Sequence, residues 1–220
     1  MEVGVQVFQV EQYKNAVTNY NRTWRETDST LYELCHRYPG HRDPSELYAK
    51  IFIIGRTYAT GIERKIASKG TQAGAMCRLI QHMLVHTTEL DAIFTPLTCL
   101  TETLAPDTLR TIIDYHGRFV RLLQPLTRNA HSTRSFCSKY MHFHCPAVPI
   151  VDSYVTASLR HMAPWRRSFK LFDLPEGSDE HYWRYVLRFW QLYQQADHAG
   201  VRPTVRLLDF YVLYVAEGAA

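Results

Sequence analysis

Apolar side chains recur at steps of three and four residues along nearly the whole chain, which is the spacing of one face of an α-helix. Tyr13, Val17, Tyr20 and Trp24 show it in the first such run. Proline, glycine and capping aspartate residues separate the runs and predict eight helices, at 11–37, 43–68, 72–94, 106–125, 132–143, 152–162, 179–198 and 204–216. Strands do not alternate with helices, and neither a G-x-G-x-x-G nor a Walker motif is present. The chain is therefore predicted to be all-α, without a Rossmann or P-loop architecture.

Length, charge and cysteine content restrict the class of protein further. A chain of 220 residues suits one large domain or two closely packed helical lobes. The formal charge of +4 permits a polyanionic partner without requiring one. Five widely spaced cysteines do not suggest a disulfide framework, no signal peptide is visible, and no apolar stretch reaches the roughly 18 residues of a membrane helix. We expect a soluble, cytoplasmic protein with no membrane association and no obligate protein partner.

The segment from 132 to 160, STRSFCSKYMHFHCPAVPIVDSYVTASLR, carries the most functional information. A predicted helix is followed by a proline-containing connector, and a second helix begins directly after Val151-Asp152. This arrangement resembles the helix-hairpin-helix DNA glycosylase superfamily, particularly its 8-oxoguanine glycosylase branch and the archaeal relatives of that branch. There a lysine-bearing helix precedes a loop that ends Pro-Val-Asp, and Pro149-Ile150-Val151-Asp152 is similar to that ending. Phe136 and Lys139 match a phenylalanine and a lysine three residues later in the archaeal version.

The resemblance implies a fold, a partner and a reaction. The fold would be a two-lobed helical bundle with a cleft between lobes at approximately 1–125 and 126–220 of a single domain. The partner would be duplex DNA with a modified base, which is flipped out before its N-glycosidic bond is hydrolysed. No cofactor is implied. Divergent prokaryotic members of this kind attack modified bases in phage DNA, so the implied role is phage defence or base repair.

Asp152 takes the position of the family's catalytic aspartate. Independently of the resemblance, an aspartate at a helix N-terminus accepts backbone N–H bonds and lies at the positive end of the helix dipole, so it stays ionised. Cleavage of an N-glycosidic bond builds positive charge on the sugar, and a fixed carboxylate stabilises that charge or activates a water. The alternative is that Asp152 is only a helix cap.

The sequence departs from the family pattern at two places. The usual hairpin, Leu-Pro-Gly-Val-Gly, is replaced by residues 126–131, LTRNAH, so phosphate contacts would come from side chains or from the next helix N-terminus. Bifunctional members carry a nucleophilic lysine about 20 residues before the aspartate, where this chain has Ser132. We therefore expect a monofunctional, water-using enzyme. Lys139 would hold the substrate in the same pocket or act as a displaced nucleophile; the alternative is a solvated lysine.

Other residues are predicted to contact the base or the DNA backbone. Arg56, Tyr58 and Glu63 are polar among apolar and small neighbours and would recognise the flipped base together with Ser132, unless Arg56 and Glu63 only form a buried ion pair. The neighbouring run 51–54 is apolar on all sides and is predicted to be buried. The residues expected to contact the DNA backbone are Arg128, Arg134, Arg166 and Arg167.

No metal site is predicted. The cysteines and histidines at 137, 142, 144 and 145 do not have a standard zinc spacing, and no cysteine follows Cys145 to complete an iron–sulfur cluster. Two other functions stay open. One is a catalytically degenerate glycosylase fold that binds modified DNA or nucleotides. The other is an unrelated helical interaction protein, which a scatter of the basic residues over all faces would favour.

Overall fold

The computed structural model describes residues 8–67, 74–129, 131–165 and 171–218. The regular structure of these ranges is helical, with eleven α-helices and a short 3₁₀ turn at Gln124–Leu126. The α-helices are α1 (Val10–Thr23), α2 (Arg25–Arg37), α3 (Pro44–Thr57), α4 (Ile62–Ala67), α5 (Ala75–Val85), α6 (Thr87–Leu97), α7 (Pro106–Leu123), α8 (Arg134–His144), α9 (Ser153–Met162), α10 (Glu180–His198) and α11 (Val205–Gly218). The prediction of an all-α chain is confirmed for the described residues.

Three of the predicted helices are each divided in two. The run at 11–37 bends at Trp24, whose indole packs on the Tyr58 ring at a centroid distance of 5.5 Å. The run at 72–94, of which residues 72 and 73 lie outside the described ranges, is interrupted at His86. The run at 43–68, of which residue 68 lies outside the described ranges, is interrupted after Thr57. A turn leads into α4 through Ala59 and Gly61, with φ of 47° and 62°. The left-handed conformation is natural for glycine but strained for alanine, so tertiary packing sustains this turn.

The capped helix starts agree with the sequence. Asp43 accepts hydrogen bonds from the Ser45 and Glu46 amides at 2.8 and 3.1 Å, and Pro44 occupies the first turn of α3. Asp179 accepts one from the His181 amide at 2.9 Å at the start of α10. A short polar side chain satisfies amides that the helix itself leaves unpaired, so these boundaries can be read locally.

Helix α8 lies at the centre of the molecule. It packs against α2, α3, α6 and α7, and all its side chains from Phe136 to Phe143 are buried. Helices α1 and α9 both pack against α11, and α9 also packs against α10. From Phe136 to Phe143, the helix that carries Lys139 is therefore enclosed by its neighbours.

Helix α3 presents one aromatic ring to solvent that the sequence predicted to be buried. Ile51 and Ile54 are fully buried, but Phe52 is 39% exposed and Tyr48, one turn earlier, is 46% exposed. The prediction for Phe52 was wrong because neighbouring helices cover only one side of α3.

A buried charge network joins α2 to α11. The carboxylate of Asp28, which is fully buried, accepts hydrogen bonds from the Tyr20 and Tyr58 hydroxyls and from the Arg206 guanidinium, whose Nε lies 2.5 Å from Oδ2. Arg206 also donates to Asp209 at 2.8 Å. Burial raises the pKa of Asp209 to about 6, although the Arg206 and Lys139 charges oppose the rise. These charges are buried in the core, and their pairing with each other offsets the cost of removing them from water.

None of the helices within the described ranges is long and apolar enough to cross a membrane. All five cysteines are free thiols.

Candidate active site

Asp152 caps helix α9, as the sequence predicts. Its Oδ1 accepts a hydrogen bond from the Tyr154 amide at 3.0 Å, and its side chain is 34% exposed. Oδ2 points the other way and meets the Lys139 ammonium at 2.8 Å. The carboxylate is therefore held from two directions while it keeps a face open to solvent.

The connector before Asp152 is fixed by side chains of α8 and α10. Ser138 Oγ accepts a hydrogen bond from the Val151 amide at 3.1 Å. The Tyr182 and Tyr185 hydroxyls donate to the carbonyls of Pro149 and Ile150 at 2.8 and 2.5 Å. Because buried groups hold three successive residues, Asp152 is pre-positioned before any ligand arrives.

His142 fixes the same connector nearer its start. Its Nδ1 lies 2.8 Å from the Val148 carbonyl, which only accepts, so Nδ1 carries the proton. Nε2 is then the acceptor for the Tyr32 hydroxyl at 2.5 Å. Burial lowers the pKa of His142 to about 4, which keeps the ring neutral. This histidine is a structural group and not a general base of the cleft.

Lys139 is buried beneath Asp152, with a side-chain exposure of 6%. Its ammonium donates to Asp152 Oδ2 and, at 2.9 Å, to the Tyr58 carbonyl. Burial acts to raise the pKa of Asp152, but the Lys139 charge and hydrogen bond, the Tyr154 amide and the Lys65 charge together hold that pKa below its ordinary value. Asp152 is thus a carboxylate at neutral pH.

Asp152 opens into a cleft of about 520 Å³, here called the Asp152 cleft. Asp152 is the one acidic side chain among the described residues that line it. The basic and titratable lining residues are Lys65, His131, Arg134, Arg160 and His181. A groove of about 570 Å³, here called the Arg128 groove, continues from it and is lined by Arg64, Lys65, Arg128 and Asn129 among others. The two cavities share Ala59, Thr60, Lys65 and Ser132 as lining residues, so they form one cationic channel.

Ser132 lies where the two cavities meet. It precedes α8, and its hydroxyl donates to the Asn129 carbonyl at 2.9 Å. The structure therefore brings Ser132, Lys139 and Asp152 together around one cleft, with a hydroxyl where the family resemblance would place an amine.

The arginines expected at the DNA backbone have different surroundings. Arg128 is exposed at the groove. Arg134 lines the cleft, but its guanidinium makes a two-pronged ion pair with Asp179, so less of its charge is available to a phosphate. Arg166 and Arg167 lie outside the described residues. Arg128, Arg134 and Arg160 line one channel.

Of the four residues expected to recognise the base, Ser132 lines the Asp152 cleft and the other three do not. Arg56 and Glu63 pair at 2.9 Å beside another cavity, of about 330 Å³, and 63% of the Arg56 side chain is exposed. Tyr58 directs its hydroxyl to Asp28, and its ring packs against Trp24 and Phe143. Only its carbonyl, through Lys139, is connected to the Asp152 cleft.

Lys65 is the main site residue that sequence reasoning missed. It is half-buried and lines both cavities. Burial and the nearby Lys139 charge lower its pKa. The sequence gives only a weak indication of this role. Gly61 indicates a break in the predicted helix 43–68, and Lys65 faces Asp152 because of that break.

Within the described residues, no three histidine, cysteine, aspartate or glutamate side chains cluster in a way that could hold a metal ion. His142 is occupied by Val148 and Tyr32, and burial raises the pKa of the Cys137 and Cys145 thiols, the latter to about 11. Both nitrogens of His142 are thus engaged and the two thiols stay protonated, which is unsuited to metal binding.

The chain matches no protein-family model, no curated protein and no solved structure. What the site can do is therefore inferred from its own charges and distances.

Proposed function

We propose that this chain is a monofunctional DNA glycosylase that flips a modified base out of duplex DNA and hydrolyses its N-glycosidic bond, with Asp152 as the catalytic carboxylate. The proposal rests on one observation: a pre-positioned carboxylate lies in a channel whose other charged groups are cationic. Cationic walls suit DNA phosphates, and a single carboxylate suits the positive charge that forms on the sugar. In this proposal the channel corresponds to the cleft between the two lobes of a helix-hairpin-helix glycosylase.

The proposed reaction needs no group beyond those of the site and a water. The bond from the sugar C1′ to the base nitrogen breaks, and its electron pair leaves with the base. The ionised Asp152 stabilises the sugar cation, or takes a proton as water adds to C1′. Through Asp152 or through solvent, the proton that the water loses ends on the departed base anion and neutralises it. The products are a free base and an abasic sugar. Ser132 offers no amine for a Schiff base, and the Lys139 ammonium is engaged by Asp152 and by the Tyr58 carbonyl.

The proposal is tested with duplex oligonucleotides that each carry one oxidised, alkylated or deaminated base. Incubation with the protein should leave the strands intact, and hot alkali should then break one strand at the modified position. Tight binding across the panel without an abasic site would instead favour the degenerate binding module. If the protein neither binds nor cleaves any of these duplexes, the unrelated interaction protein would be favoured.

The pH dependence of base release tests how Lys139 acts. Because the pKa of Asp152 is held below its ordinary value, Asp152 should stay ionised and cause no acidic limb between about pH 5 and 8. Lys139→Gln removes the charge that opposes burial, so the pKa of Asp152 should rise and the rate should fall toward pH 5. Lys65→Gln removes a weaker influence on Asp152 and should shift the profile less. A Lys139→Gln profile that matches the wild type would show that Lys139 does not set the charge of Asp152.

Borohydride trapping tests the monofunctional assignment. We expect no covalent protein–DNA adduct in the wild type, because Ser132 stands where the bifunctional members have a lysine and the Lys139 ammonium is engaged by Asp152 and the Tyr58 carbonyl. An adduct lost in Lys65→Gln or Lys139→Gln would identify that lysine as a nucleophile and make the enzyme bifunctional.

The salt dependence of DNA binding tests the channel. Each of Arg64→Gln, Arg128→Gln and Arg160→Gln should reduce the slope of log affinity against log salt by about 1, because each removes one phosphate contact. Arg37→Gln is the matched control, since Arg37 is an exposed arginine on α2, paired with Glu33 and outside both cavities. Equal slopes for all four variants would contradict the assignment of the channel to DNA.

A further inference from the structure

The exposed face of α3 carries a stacked column of flat groups. The Tyr48 and Phe52 rings are nearly parallel, at 10°, with their centroids 5.7 Å apart. The Arg56 guanidinium lies over the Phe52 ring at 5.6 Å from its centroid. Successive members of the column are about one helical turn apart, so its three residues span about 12 Å along the helix. Both rings lie outside the buried core, and each is more than a third exposed.

The column adjoins the channel of the proposed active site. Phe52 and Arg56 line the 330 Å³ cavity, which shares Ala59, Gly61 and Arg64 with the Arg128 groove. The Arg128 groove in turn opens into the Asp152 cleft. Ala59 lines all three cavities and has the positive φ that turns the chain from α3 into α4. A continuous surface thus leads from the aromatic column to Asp152.

We propose that this column, the α3 platform of Tyr48, Phe52 and Arg56, stacks unpaired bases of a single DNA strand next to the base in the Asp152 cleft. Proteins that hold single strands without sequence preference usually combine a cationic groove for the phosphates with aromatic rings and arginine planes on which the bases stack. Glu63 neutralises Arg56, so the platform offers flat surfaces, while Arg64, Lys65 and Arg128 supply the charge for the phosphates. The inference rests on the proposed function and adds its substrate class: DNA with an unpaired stretch beside the target base.

The test compares two ligands in the Asp152→Asn background, so that no chemistry is involved. One ligand is a labelled single strand of about 12 deoxyadenosines, a length within the usual range of single-strand sites. The other is an abasic strand of the same length, with the same phosphates and no bases. The double variant Tyr48→Ala/Phe52→Ala should weaken binding of the first ligand about fivefold or more, the scale of one lost base–aromatic stack, and leave the second unchanged. Fluorescence anisotropy measures both.

Matched variants separate stacking from a change in fold. Phe52→Leu keeps apolar bulk but not a flat ring and should also weaken the deoxyadenosine ligand, whereas Phe52→Trp should preserve or strengthen it. Tyr38→Ala removes another exposed tyrosine, outside all three cavities, and should have no effect. Equal losses on both ligands, or no loss with either, would overturn the platform and leave this face to a protein partner. If the platform fails this test but the protein still releases bases, only the platform is rejected. If the platform variants weaken only the deoxyadenosine ligand but no base is released, only the glycosylase proposal is rejected.

Discussion

Asp152→Asn is expected to lower single-turnover base release by at least ~100-fold while leaving DNA affinity nearly unchanged. The amide keeps the size of the side chain and can still cap α9 through its oxygen. Its NH2 group cannot accept from the Lys139 ammonium, which then keeps the Tyr58 carbonyl as its acceptor. The amide lacks the negative charge that faces the sugar cation, and deletion of one well-placed electrostatic group usually costs this much in rate. The measurement is base release under saturating enzyme, paired with an affinity measurement on an unreactive duplex.

Asp43→Asn is the matched control for that variant. Asp43 caps α3 in the same way, with hydrogen bonds from the Ser45 and Glu46 amides, and it lines none of the three cavities. The rate should be normal, because asparagine caps a helix about as well as aspartate. A similar loss in both variants would mean that the effect of Asp152→Asn comes from helix stability and not from catalysis.

Asp28→Asn is expected to lower the free energy of unfolding by about 3–5 kcal/mol, the usual cost of breaking a buried ion pair from one side. Asp28 is fully buried and accepts from Arg206, Tyr20 and Tyr58, so its loss leaves a buried guanidinium short of one counter-charge. Urea unfolding measures the change. Glu33→Gln breaks the exposed pair with Arg37 and should cost less than about 1 kcal/mol. A cost below about 1 kcal/mol for Asp28→Asn would show that the network is not a main source of stability.

The features that the sequence predicted well are those with local causes. The helices that begin after Asp43, Asp152 and Asp179 have short-range signals, because a capping carboxylate satisfies amides only two or three residues away. The connector before Asp152 was readable from its prolines. These elements place Asp152, the single most important residue of the candidate site.

The features that the sequence did not predict depend on long-range packing. The sequence predicted Lys139 to be a pocket lysine or a solvated one. It lies in the enclosed part of α8, and its ammonium pairs with Asp152 beneath the cleft. The sequence predicted that the Tyr58 ring would contact the flipped base. Its hydroxyl instead donates to Asp28, thirty positions away along the chain. Lys65 enters the site only because the chain turns at Ala59 and Gly61. Periodicity describes one helix at a time and carries no information about such partners.

Mass spectrometry of bases released from DNA tests the central claim most directly. DNA that contains a range of modified bases is incubated with the wild-type protein and, in parallel, with Asp152→Asn and Asp43→Asn, and the small-molecule fraction is analysed. We expect at least one free modified base with the wild type and with Asp43→Asn, and at least ~100-fold less with Asp152→Asn. Equal release by the wild type and Asp152→Asn, or no released base from any modified DNA, would contradict the account.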